Sequence, residues 1–83
     1  MKQTKEVKKL ITRCKLVLEW VNNGDMCVQR ATDETYGYVL GISAFTTGET
    51  LDNITDIWTY FHMAIHPAYD YDVNDFNKWI ESH

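Results

Sequence analysis

The sequence predicts an α+β domain in the order helix, β-hairpin, helix, helix, with the helices gathered against a small antiparallel sheet. Three observations carry that expectation. Apolar residues recur at helical spacing in the first and third segments. A run of strand-forming residues punctuated by glycine separates them, and cap-type residues precede a short striped segment at the end.

The first helix is expected from about Thr4 to Asn22, because Val7, Leu10, Ile11, Cys14, Val17, Leu18 and Val21 fall on one stripe. Asn22-Asn23-Gly24-Asp25 stops it. Leu16 and Trp20, four residues apart, project from the opposite face, on a ridge otherwise made by Lys2, Lys5, Lys9 and Arg13. An apolar pair on a basic ridge calls for cover.

Met26 to Ala31 and Tyr36 to Phe45 are rich in strand formers, and Thr32-Asp33-Glu34-Thr35 between them has the length of a hairpin loop. On the second strand Tyr36, Tyr38, Leu40 and Ile42 would share one face, with Gly37, Val39, Gly41, Ser43 and Phe45 on the other. Two strands alone are marginal, so the sheet edges would remain open to a third strand or another chain.

Thr46-Thr47-Gly48-Glu49-Thr50 supplies cap-type residues and early negative charge for a third segment. There Leu51, Ile54, Trp58, Phe61 and Ile65 make a stripe widened by Ile57, Tyr60 and Ala64, the mark of the most buried helix. Pro67 ends it, and Ala68-Tyr69-Asp70-Tyr71 is an irregular link. Asp72 with Asp75 three residues on opens a short last helix whose Val73, Phe76, Trp79 and Ile80 face inward.

Eighty-three residues, 45% of them hydrophobic, suffice for one core, so residues 1–83 are expected to form a single domain. Neither end reads as a targeting segment, and no membrane span is expected because no run of about 20 apolar residues occurs. With Cys14 on the buried stripe and no close Cys spacing, reduced structural thiols and a cytoplasmic location are expected, although spacing alone leaves a Cys14–Cys27 disulfide open. The net charge of −4 is divided unevenly. Residues 1–30 hold seven bases against three acids, whereas residues 31–83 hold one base, Lys78, against nine acids. Such asymmetry steers partners, unless the basic helix and acidic segments cancel by packing together.

Reactive chemistry finds little footing in the chain. His62 and His66 stand four apart on a helix, the spacing that lets two imidazoles share a metal, but position 63 is methionine where the zinc-protease helix carries glutamate. Asp70, Asp72 or His83 would complete a site only if the chain folded back suitably, and the pair serves equally to favour a helix's negative end. No metal or other cofactor is therefore assigned. Ser43 and the two cysteines lack a neighbouring base, and Gly37-x-x-x-Gly41 neither introduces a helix nor precedes a lysine as a phosphate loop does. Asn53-Ile54-Thr55 matches a glycosylation acceptor by chance inside a helix. The chain is not expected to be an enzyme.

The expected function is a small acidic protein-binding module, an inhibitor or adaptor that occupies a surface of a partner with basic character. Its candidate contact residues are Leu16, Trp20, Tyr69, Asp70, Tyr71, Asp52 and Asp56. Tyr69-Asp70-Tyr71-Asp72 alternates phenol and carboxylate on a link, suited to arginines, although a tyrosine there could instead plug a gap between helices. Asp33, Glu34, Glu49, Asp52 and Asp56 would extend an acidic surface, in the strongest form imitating the phosphates of a nucleic acid. In size, acidity and aromatic content the whole chain resembles the accessory proteins with which bacteriophages disable host enzymes, including those that handle nucleic acid. The alternative function is nucleic-acid binding, with Lys2, Lys5, Lys9 and Arg13 on phosphates and Trp20 stacked on a base. A homodimer covering Leu16 and Trp20, or the open sheet edge, is a third expectation.

Overall fold

Thr4 begins the first helix by accepting a 3.4 Å hydrogen bond from the Val7 amide, so α1 runs Lys5–Asn22. Its end is a Schellman turn. The Asp25 amide donates to the Trp20 carbonyl and the Gly24 amide to the Val21 carbonyl, with Gly24 at φ 81°, a conformation only glycine enters without strain. The computed structural model describes all residues, Met1–His83. Three more helices follow: α2 at Val28–Ser43, α3 at Gly48–Ile65 and α4 at Val73–Ser82.

The chain is all-helical, and the expected α+β architecture is incorrect: no residue lies in a strand. Met26 to Ala31 and Tyr36 to Phe45 do not pair as a hairpin, and Thr32-Asp33-Glu34-Thr35 is no loop but the middle of α2. Two effects override the strand propensity of Tyr36, Tyr38, Val39 and Ile42. Ala31, Thr35 and Val39, at four-residue intervals, form one buried stripe that meets α1 and α3. Every interior amide of α2 also finds its partner within the helix, whereas two strands would leave their outer edges unpaired. Gln29–Asp33 and Arg30–Glu34, each four apart, tie successive turns on the exposed side, the latter by a 3.1 Å ion pair. With no sheet, there is no sheet edge for a partner strand, and Ser43 closes a helix.

α1, α2 and α3 pack pairwise into a three-helix bundle, and α4 lies against α3. α1 and α2 run antiparallel across the short turn 23–27, with the Arg13 guanidinium over the Tyr38 ring at 5.9 Å. The core is continuous: Val7, Leu10, Cys14 and Val17 from α1, Ala31 from α2, Ile54, Ile57 and Phe61 from α3 and Phe76 from α4 are fully buried. α4 begins with a complete capping box in which Asp72 accepts from the Asn74 and Asp75 amides while Asp75 accepts from the Asp72 amide. The radius of gyration, 12.1 Å, is close to the roughly 12 Å of a compact chain of this length.

Candidate interaction surface

Three of the residues that line one flank of α3, Trp58, His62 and His66, are spaced by four and therefore succeed one another along the helix. Tyr36 of α2 adjoins one end and Tyr69, just beyond α3, the other. The result is a ribbon of five rings with successive centroids 5.3, 5.7, 5.6 and 5.6 Å apart. Its two end tyrosines are each 47% exposed, and the three inner rings are half-buried. The Tyr69 end is held by the turn after α3: the Ala68 amide donates to His66 Nδ1 at 3.2 Å, and the Tyr69 amide donates to the His66 carbonyl at 3.2 Å. An Nδ1 that accepts leaves the proton of the neutral ring on Nε2. Asp33, three residues before Tyr36, and Asp70, beside Tyr69, are both exposed and place a carboxylate near each end.

The other flank of α3 is committed to structure. Tyr60 stacks on Trp79 at 4.3 Å and adjoins Tyr71 at 5.9 Å, fastening α4 and the preceding link. The Tyr71 hydroxyl is buried without a hydrogen-bond partner. Burial raises the Tyr71 phenol above its ordinary pKa, and Asp75 and Tyr60 push it in the same direction.

The candidate residues read from the sequence do not converge on one patch. Asp52 and Asp56 are exposed on the outer side of α3 with Glu49. Tyr69 and Asp70 are exposed at the end of the ribbon, while Tyr71 packs against the core. Leu16 is 39% exposed on α1, but Trp20 is partly buried and packed against the core rather than standing free on the ridge. Lys2, Lys5 and Lys9 are exposed; Arg13 is half-buried over Tyr38, its Nε enclosed. The basic ridge thus presents three lysines without the arginine and indole expected beside them.

His62 and His66 have ring centroids 5.6 Å apart, and no group of three or more His, Cys, Asp or Glu comes together in the structure. Both cysteines are free: Cys14 is buried, whereas Cys27 is exposed and its Sγ accepts from the Arg30 amide at 3.5 Å as the N-cap of α2. Burial pushes the Cys14 thiol up to about 12, a shift that nearby Arg13 only partly opposes. A shallow cleft of about 310 Å³ lies between α1 and α4, lined by Lys15, Leu18, Glu19, Asn22, Val73 and Asn77.

The sequence reading missed two features. A strand at Tyr36 separates it from the ribbon, although the spacing of Trp58, His62 and His66 by four marks the rest of the row in the sequence itself. That strand also hides the outer face of α2, where Leu40 is 53% exposed and Phe45, just past the helix, 94% exposed. The four-residue repeats Gln29/Asp33 and Arg30/Glu34 were the signal for a helix there. No helix is long and apolar enough to cross a membrane. Comparison with protein-family models, curated proteins and solved structures found no match.

Proposed function

We propose that the chain is a protein-binding module, an inhibitor or adaptor of the bacteriophage accessory kind, that engages a basic partner through the five-ring ribbon and its acidic neighbours. The ribbon is the observation that carries this reading. Stiff rings lose little freedom on binding and supply large contact area, and Tyr and Trp are the residues on which interface energy concentrates. Asp33 and Asp70 add the complementary field that orients a lysine- or arginine-bearing surface. Asp52, Asp56 and Glu49, on the next side of α3, extend that field without belonging to the contact.

Capture from an extract of the native host, with the wild-type chain and with a Tyr36→Ala/Tyr69→Ala variant side by side, tests the proposal. Both tyrosines are half-exposed, so the variant keeps its fold. A protein held by the wild type, lost by the variant and released by added salt is the expected result. Equal recovery by both chains, or recovery of nothing, overturns it. Lys2, Lys5 and Lys9 stand exposed with no carboxylate within ion-pair distance, which favours nucleic-acid binding as the second reading. A gel shift at low salt that vanishes on Lys5→Ala/Lys9→Ala would put it first.

A further inference from the structure

Residues 35–48 carry no charge, and within them the outer side of α2 and the turn beyond it show Gly37, Leu40, Gly41, Ala44 and Phe45 to solvent. Neither helix-interior glycine is explained by the fold of the single chain. Both have negative φ, so no left-handed backbone requires them. A Cβ built at either position meets nothing within 4 Å, so no neighbouring element requires them. Each weakens the helix relative to alanine. Beside them, Leu40 and Phe45 expose the largest aliphatic and aromatic surfaces in the chain, 53% and 94%. Flat backbone and protruding apolar side chains alternate along one face.

We propose that this face is a self-association surface and that its occupant is the same face of a second copy, with the two α2 helices antiparallel about a two-fold axis near Leu40. A two-fold interface needs one patch that carries both the knob and the hollow. Here Leu40 of one copy seats on the Gly37–Gly41 hollow of the other, where the missing Cβ atoms let the backbones approach.

Charge also favours a second copy. Asp33 lies about two turns before Leu40, roughly 10 Å from the axis, and it is the free charge there because Glu34 is already paired with Arg30. An antiparallel pair brings Asp33 level with the far end of the partner's α2. That end lies beside the start of α1, as the antiparallel α1–α2 register marked by Arg13 and Tyr38 requires. Exposed Lys5 and Lys9 lie in the first turns of α1, and exposed Lys2 just precedes it. Acidic and basic ends are thus matched twice over, although each copy has a net charge of −4.

The area sets the strength. The exposed parts of Leu40 and Phe45 with the glycine hollow offer on the order of 300–400 Å² per copy. The pair buries roughly twice that, below the roughly 1,200 Å² of stable specific interfaces. The dimer is therefore weak and reversible. Trp58 and Tyr69 take no part in it, whereas Tyr36, four residues before Leu40 on α2, borders this face and is the one ring that the dimer and the ribbon share.

Sedimentation equilibrium of the full chain, from low micromolar to about millimolar concentration, tests the assignment. The weight-average mass of the wild type is expected to rise above 9.7 kDa with concentration, and to rise less at high salt. Leu40→Glu is expected to remain monomeric throughout. Gly37→Ala/Gly41→Ala is the decisive variant, because it should melt at a higher temperature as a monomer and yet dimerise at least tenfold more weakly. Tyr69→Ala should dimerise as the wild type does. A wild type that stays monomeric at millimolar concentration overturns the proposal and leaves the face to a different protein. Dimerisation unchanged by Leu40→Glu and by the double alanine variant overturns it by placing the contact elsewhere.

Discussion

α1 and α2 lie side by side at 18 and 16 residues, yet they are helices for different reasons. α1 buries Val7, Leu10, Ile11, Cys14, Val17 and Leu18, has no glycine and starts from a threonine cap. Its local preferences and its packing agree. α2 buries only Ala31, Thr35 and Val39, has two interior glycines and rests on a weak thiol cap. Its composition favours a strand, and its helical form is imposed by the neighbours that cover its narrow stripe and by the need to satisfy its backbone internally. Packing can thus recruit a poor helix once good helices define the groove, and the recruited helix keeps an outer face that the core does not use.

The largest contrast is expected between two leucines. Leu10, fully buried on α1, should lose about 2–5 kcal/mol on Leu10→Ala, while Leu40→Ala on α2, half in water, should lie within about 0.5 kcal/mol of wild type. Urea denaturation at a concentration low enough to keep the chain monomeric measures both. Comparable losses would mean that the outer face of α2 contributes to the monomer's core and would erase the distinction.

The cysteines give the same comparison a pH axis. Cys14 is held protonated by burial in the folded chain, with its pKa raised from 9.0 to about 12. Between those values the unfolded chain has released a proton that the folded chain keeps, so stability must fall as pH rises. The loss begins near pH 9 and reaches on the order of 4 kcal/mol by about pH 12, with Tyr71 adding in the same direction at the upper end. Cys14→Ala should lower stability at neutral pH and flatten this alkaline slope. In the native protein at pH 8, a thiol reagent should label exposed Cys27 promptly and Cys14 only on unfolding.

The contrast also separates what the sequence discloses from what it conceals. The stripe of α1, the Asn22–Asp25 stop, Pro67 after α3 and the Asp72/Asp75 capping box are local signals, and each specifies its own element. The state of α2 depends on partners distant in sequence, and an uncharged run with glycine, tyrosine and valine reads as strand until those partners are known. The site followed the same division. Tyr69 and Asp70 were legible because a link after proline presents them, whereas the ribbon needs Tyr36 brought against Trp58 from 22 positions away. Trp20 and Arg13 were misplaced on an open ridge because helical periodicity fixes a direction but does not say that Tyr38 of α2 closes over one edge of it.

Thr35 shows how far packing prevails in α2. It is fully buried, and its hydroxyl has no hydrogen-bond partner. Thr35→Val removes that unpaired group at nearly constant shape and should stabilise the chain by about 1–2 kcal/mol. A destabilised variant would show that the hydroxyl finds a partner in solution, a bound water included.

Changes at the N-caps of α1 and α2 are expected to be small and of opposite sign. The Thr4 hydroxyl accepts from the Val7 amide, so Thr4→Ala should weaken α1 by about 1 kcal/mol. The Cys27 sulfur is a poor acceptor at 3.5 Å, and α2 has no acid in its first turn. Cys27→Asp supplies a stronger acceptor and a negative charge at the positive end of the helix dipole, and it should stabilise the chain by about 0.5–1 kcal/mol. Cys27→Ser, which supplies the acceptor without the charge, should fall between, and the difference between the two should shrink as salt is added. If Cys27→Asp and Thr4→Ala instead move the denaturation midpoint in the same direction, α2 is already as well begun as α1, and the weakness inferred for it lies only in its glycines.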